Sequence, residues 1–280
     1  MSWVSLLAGR LKMQGGVIDR RTPLGRRYRG GMRTPEDIVD FLVGFACRQA
    51  CDVIDVPGGV AVRHRDFPAS YNNNRILVRE AVDAAELLAT ADEVMKDLDY
   101  RVIVFLDDEP GRAFEPAAVA AGYRPHPMVV MRFEGSTPPE PVIRVESVAL
   151  PVMVEAQRRM WRADEPELPA EEVEQLATRI GERRKGAEEV HFLAVLHDGV
   201  PVSWADFYRH RGIAQIEYVL TLPGRQGQGY STAVMREALR RAEGCDTVFL
   251  FADGEDWPQN WYGRLGFTPV GRFHEYVRTT

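Results

Sequence analysis

Hydrophobic and polar positions alternate with two clear periods in the second half of the chain. Apolar residues recur at helical spacing from Val152 to Trp161 and again from Ala170 to Arg184. Pro169 precedes the second run, a position where proline is tolerated, and acids fill its first turn. Phe192 to Leu196 then reads as a strand, His197-Asp198-Gly199 as a hairpin turn and Val200 to Tyr208 as the return strand. Arg211-Gly212 turns again and Gln215 to Thr221 forms a third strand. A glycine-rich loop follows, then a helix from Ser231 to Ala242, a strand from Thr247 to Ala252 and a short helix from Pro258 to Leu265. Gly266 ends that helix, and a last strand covers about Gly271 to Val277. The predicted order is ααβββαβαβ.

The first half ends in an echo of this pattern. Val102 to Asp108 resembles Val248 to Asp253, and Ala121-Gly122-Tyr123 before Val129-Val130-Met131 resembles Leu265-Gly266-Phe267 before a strand. We read two copies of one fold. Between them Gly135-Ser136-Thr137-Pro138-Pro139-Glu140-Pro141 holds three prolines in seven residues, a composition that opposes both helix and sheet. The expected domains are therefore 1–135, a linker at 136–141 and 142–280. The copies differ where chemistry would lie. No glycine occurs from Arg75 to Tyr100, and Ala118 stands four residues before Gly122 where Tyr262 stands four before Gly266.

Composition narrows the picture. The 280 residues carry a net charge of −6, which excludes a dominant nucleic-acid role and leans toward cationic substrates. Three cysteines, Cys47, Cys51 and Cys245, make no disulfide framework, and the first two alone are too few for zinc. No HExxH pattern is present, so no metal is expected. The apolar run Trp3 to Ala8 is short and its charges follow it, which argues against a signal peptide. No run approaches membrane-spanning length, and a cytoplasmic protein is expected.

The chemistry gathers in Thr221-Leu222-Pro223-Gly224-Arg225-Gln226-Gly227-Gln228-Gly229-Tyr230-Ser231-Thr232. A glycine turn at a helix start leaves N–H groups unpaired at the positive end of the helix dipole, which suits a pyrophosphate. A nucleotide P-loop needs GxxxxGK[ST], which is absent. A dinucleotide fingerprint needs GxGxxG inside a βαβ unit, and Gly227 and Gly229 follow an antiparallel meander instead.

The loop resembles the [Q/R]-x-x-G-x-[G/A] signature of the GCN5-related N-acetyltransferases, read here as Gln226 to Ser231 with Pro223 three residues earlier. Tyr262-Gly263-Arg264-Leu265-Gly266-Phe267 resembles the family's Y-x-x-x-G-F. Two departures stand out. Ser231 replaces a Gly or Ala, and Glu255 stands where the family often has Asn. The resemblance runs from about Val142 to Val277 and implies an α/β (α+β) fold: a mixed, largely antiparallel sheet flanked by helices, in two tandem domains. It implies acetyl-CoA as co-substrate, lying between the strands Gln215–Thr221 and Thr247–Ala252. The backbone of Val219, Leu220 and Thr221 would hold the pantetheine. The run Gln226, Gly227, Gln228, Gly229, Tyr230, Ser231 and Thr232 would hold the pyrophosphate, with Asn260 nearby. Tyr262 resembles the general acid that reprotonates the departing thiolate.

An alkyl amine acceptor also needs a base, because the scarcity of its neutral form at pH 7 opposes attack by about 4.6 kcal/mol. Strand alternation puts Glu217 on the same face as Val219, and Glu217 is the candidate base. Asp164 and Glu165 are candidates to draw a cationic amine, and Trp161 reads equally as a pocket wall or a core residue. Arg179, Arg183, Arg184 and Lys185 read as a solvated helix end matched to the dipole. The expected function is acetyl transfer to a primary amine in a ternary complex, by a monomer or homodimer without nucleic-acid or membrane partners. The rivals are a non-catalytic acyl-CoA-binding module and a two-domain transferase of the mycothiol synthase type.

Overall fold

The computed structural model describes residues 33–254 and 258–279. The expectations for Trp3 to Ala8 and for Glu255 lie outside the described residues. The first half begins with α1 (Glu36–Gln49) and a meander of β1 (Asp52–Val56), β2 (Gly59–Arg63) and β3 (Arg75–Val78). It continues through α2 (Ala84–Val94), β4 (Tyr100–Phe105), α3 (Asp108–Ala120) and β5 (Arg124–Phe133). The second half opens with the short strand β6 (Glu146–Val148), then α4 (Leu150–Asp164) and α5 (Ala170–Thr178). A 3-10 turn (Arg179–Glu182) leads to the single-turn helix α6 (Arg183–Gly186). There follow β7 (Glu189–His197), β8 (Val200–His210), β9 (Ile213–Thr221), α7 (Tyr230–Arg241), β10 (Thr247–Asp253), α8 (Pro258–Arg264) and β11 (Phe267–Thr279).

The expected order ααβββαβαβ is present, preceded by β6, which at three residues is too short to show a period. The helix expected over 170–184 breaks into α5, the 3-10 turn and α6, with Gly181 at the break. Segment 134–145, which holds the proline cluster, contains no helix or strand.

All strands join one eleven-stranded sheet in the order β1-β2-β3-β4-β11-β5-β10-β9-β8-β7-β6. The pairings are antiparallel except β3 with β4 and β9 with β10, which hold equivalent places in the two halves. The final strands are exchanged. β11 lies between β4 and β5 of the first half, and β5 lies between β10 and β11 of the second.

Side chains of β7 to β10 alternate between two covers. Ala205, Phe207, Ala214, Ile216 and Leu250 pack with Val234, Met235 and Leu239 of α7. On the other face Phe192, Trp204 and Leu220 pack with Met153 and Trp161 of α4 and Leu176 of α5. Trp161 is fully buried there, a core residue rather than a pocket wall. Helix α1 also lies on this second face. Phe45 stacks on Tyr208 at 4.6 Å between centroids, and Arg48 donates twice to the Gly186 carbonyl at 2.8 and 2.6 Å.

Candidate active site

Strands β9 and β10 run side by side only through Thr247–Ile213, Val248–Ala214 and Phe249–Gln215. Beyond that pair they separate, and residues 216–221 keep strand partners on the β8 side alone. The separation coincides with a bulge. Trp204 faces Leu220 and Asp206 faces Glu217, so Tyr218 and Val219 together oppose one residue of β8. Tyr218 takes a left-handed φ of 61°, a conformation that costs a bulky residue roughly 1–2 kcal/mol. Burial at 5% exposure and the Arg183 guanidinium 5.1 Å from its ring centroid hold it there.

The bulge corrects one expectation. Ile216 and Val219 both pack toward α7, although residues three apart on a regular strand face opposite ways. Glu217 therefore points to the other face, away from Val219, and lines a cavity with Gln215.

At the end of β9 the chain enters the glycine loop. Gly224, Gly227 and Gly229 have φ of 77°, 75° and 78°, and a side chain at Gly224 or Gly227 would meet nothing within 4 Å. Gly229 is the N-cap of α7, with no side-chain cap and no acid in the first turn. The first helical bond runs from Ala233 N–H to Gly229 C=O at 3.0 Å, so the N–H groups of Tyr230, Ser231 and Thr232 have no acceptor inside the helix. Ser231 has its own use: its hydroxyl lies 2.8 Å from that of Thr221, itself 2.8 Å from Ser203 Oγ. This hydroxyl chain ties the helix start to the end of β9. The open loop, the uncapped helix and the parted strands fit a phosphate-bearing pantetheine thioester. The backbone of Val219, Leu220 and Thr221 lies along the parted edge, and Gln226 and Gln228 lie in the loop.

Tyr262 sits on α8, on the α7 side of the sheet, 6% exposed, its ring against Trp261 and Phe267. Burial pushes its phenol well above the usual value, which keeps the proton on oxygen. Asn260 is exposed on the same helix, whose neighbouring Gln259 donates to the Asp253 carbonyl at 2.7 Å. Asp164 is exposed and Glu165 half-buried, and neither lines the cavity.

The cavity occupies the second face, where the halves meet, and encloses about 1100 Å³ including its open mouth. Helix α1 roofs it with Leu42, Phe45 and Ala46. Gln215, Glu217 and Phe251 place its floor where β9 and β10 part. Its polar lining includes Arg75, Arg179, Arg183 and Glu275. Arg179 and Arg183 are each 4% exposed, which overturns their reading as a solvated helix end. Arg183 forms a buried ion pair with Asp206, which also accepts from the Tyr208 hydroxyl at 3.0 Å. Removing one partner of such a pair costs about 3–5 kcal/mol. Asp206 carries the sequence signal for this pair: an acid flanked by apolar residues in the middle of a strand needs a buried cation.

Elsewhere, ligand atoms of Cys51, His64 and Asp66 lie within 4.8 Å of one another, a grouping the spacing of Cys47 and Cys51 does not suggest. Among the described residues no helix is long and apolar enough to cross a membrane.

Comparison with known proteins agrees with this geometry. Residues 150–267 match the model of the Acetyltransferase (GNAT) family. No curated protein matches the chain. A conserved protein of unknown function from Staphylococcus epidermidis superposes with a TM-score of 0.67 at 14% identity, over 82% of this chain and 94% of that one. A GCN5-related N-acetyltransferase from Kribbella flavida gives 0.55 at 18% identity, over 86% and 94%. One from Sphaerobacter thermophilus gives 0.53 at 15% identity, over 79% and 76%. These likenesses are of fold.

Proposed function

Residues 150–267 form a domain of the GNAT acetyltransferase family, and from that premise we propose that the protein moves an acetyl group from acetyl-CoA to a primary amine held in the cavity. Acyl transfer from an acyl-CoA follows from the family; the acetyl donor and the amine are our reading. One observation carries it: the uncapped N-terminus of α7 and the parting of β9 from β10 occur together, and the cavity opens where the strands part.

In this reading the N–H groups from Gly227 to Thr232 take the pyrophosphate through charge-assisted bonds, about twice as strong as neutral ones. The backbone edge of Val219 to Thr221 pairs with the pantetheine amides. The amine nitrogen attacks the thioester carbon and the carbon–sulfur bond breaks. Glu217, on the cavity side, accepts the proton the amine loses, directly or through a water. Tyr262, on the α7 side, gives a proton to the leaving sulfur, to be replaced from solvent. Acid and base thus stand on opposite faces of the sheet, with the thioester passing between the parted strands. Holding the amine and thioester together supplies much of the rate. An N–H near Val219 polarises the carbonyl.

Two measurements test the proposal. Calorimetry with acetyl-CoA should give micromolar binding, and thiol release should appear with an amine panel. Binding without release across the panel would leave a binding module. No binding by the folded protein would remove the loop as a cofactor site.

A further inference from the structure

We propose that the acceptor is an amine that also bears a carboxylate on an apolar body, the chemistry of a free apolar amino acid, with Arg75 and Arg179 on the carboxylate and Gln215 and Glu217 on the amine. The inference rests on the transferase reading above.

The cavity holds two guanidiniums that make no ion pair, although the carboxylates Glu217 and Glu275 also line it. Among the described residues no carboxylate oxygen lies within 4.0 Å of a nitrogen of Arg75 or Arg179. Arg75 donates to Asn72 Oδ1 at 3.2 Å, and its Nε is buried with no partner. Arg179 donates to the Leu176 carbonyl at 3.3 Å and to Ser70 Oγ at 3.0 Å, both neutral. Burial works against the charge on each guanidinium; Glu275 and Glu217 offset part of this at Arg75, and Glu217 does so at Arg179. Arg179 is buried and Arg75 half-buried, and neither makes an ion pair, so both guanidiniums can still take an anion. A carboxylate suits the guanidinium fork, accepting two parallel N–H bonds.

The complementary unpaired group lines the same cavity. Gln215 is 2% exposed and its Oε1 has no donor. A buried amide oxygen left unpaired is costly, and an ammonium N–H would satisfy it. Gln215 is the last residue of β9 to pair with β10, and Glu217 stands two residues on, where the strands part. The amine end therefore falls at the thioester side of the cavity. Beside the polar groups the walls are Leu42, Phe45, Leu77, Met128, Phe251 and Phe273, which suit an aliphatic or aromatic side chain. The net charge of −6 leans toward a cationic substrate, but the site itself calls for both signs.

The test uses the full chain with saturating acetyl-CoA and four probes: phenylalanine, phenylalaninamide, phenethylamine and phosphoethanolamine, with leucine and methionine as further apolar acids. Thiol release should favour phenylalanine over its amide at least tenfold in kcat/KM. Arg75→Met and Arg179→Met should each raise KM for phenylalanine at least tenfold while acetyl-CoA affinity and KM for the amide stay within twofold. Arg75→Lys, which keeps the charge, should restore part of the loss and serves if the methionine variants do not fold. Equal or faster turnover of the amide or of phenethylamine would overturn the inference and leave the transferase reading standing. Turnover of phosphoethanolamine alone would overturn the carboxylate in favour of a phosphate. Carboxylate- and Arg75-dependent binding by calorimetry, with no thiol release, would keep the inference and sink the transferase reading. Binding of none of the three amino acids would overturn it.

Discussion

From the three-stranded meander onward the two halves place the same elements in the same order and prepare them differently. In the first half β3 pairs with β4 to its end: Val78 faces Phe105, and Leu106 N–H reaches the Val78 carbonyl at 2.9 Å. In the second, β9 runs on beyond its last pairing with β10 and parts from it. The following helices differ in the same sense. Asp83 caps α2 by accepting from Glu86 N–H at 2.9 Å, whereas α7 begins at Gly229 with no side chain over its donors. A carboxylate cap spends a donor and repels phosphate; a glycine start leaves both the donors and the dipole open. The last helices differ too: Ala118 is packed in α3 where Tyr262 stands in α8. The halves thus differ in three local features on one continuous sheet.

The contrast can be broken by transplanting one half's features into the other. Gly229→Asp puts the first half's carboxylate at the start of α7 and should weaken acetyl-CoA binding about 100-fold, the worth of one or two charge-assisted hydrogen bonds. Calorimetry reads this directly, and unchanged affinity would remove α7 as the pyrophosphate site. Tyr262→Phe keeps the ring packing and removes the proton. It should lower kcat about 100-fold with acetyl-CoA affinity within twofold; steady-state kinetics that show full turnover would end the acid role. Asp83→Ala should destabilise the fold by about 1 kcal/mol in denaturant titration and leave acetyl-CoA affinity unchanged, because Asp83 serves only to cap α2.

The smallest effect concerns the exchanged strand. Burial raises the Glu275 carboxyl above its usual value, against the pull of His126 and Arg75. The native state then binds more protons than the unfolded chain between the ordinary carboxyl range and the raised value. Stability therefore falls as pH rises through that window. Glu275→Gln should flatten this slope in denaturant titrations across mildly acid pH. An unchanged slope would show that Glu275 titrates as a solvated acid.

Much of this was legible because it is local. Strand alternation, helix period and glycine turns are properties of short segments, and β7 to β10 with α7 fall close to where the sequence puts them. The face of Glu217 was not legible. Alternation assumes a regular strand, and the bulge at Tyr218 and Val219 is chosen by packing against Arg183 rather than by any turn residue. Arg179 and Arg183 were misread for a related reason. Two arginines at a helix end look solvated until the strand carrying Asp206 is folded against them. The cavity itself joins residues from both halves, so no window of sequence contains it.

The exchange of β5 and β11 sets an order for synthesis. Residues 33–133 can emerge and collapse, but the edges of β4 and β5 stay unmatched until β11, more than 130 residues later, slides between them. Contacts of such separation are formed late and slowly. A nascent chain therefore carries two bare strand edges through about half of its translation, an invitation to chaperones and to neighbouring chains on the same message. Once β11 is seated, neither half can leave without tearing the centre of the sheet.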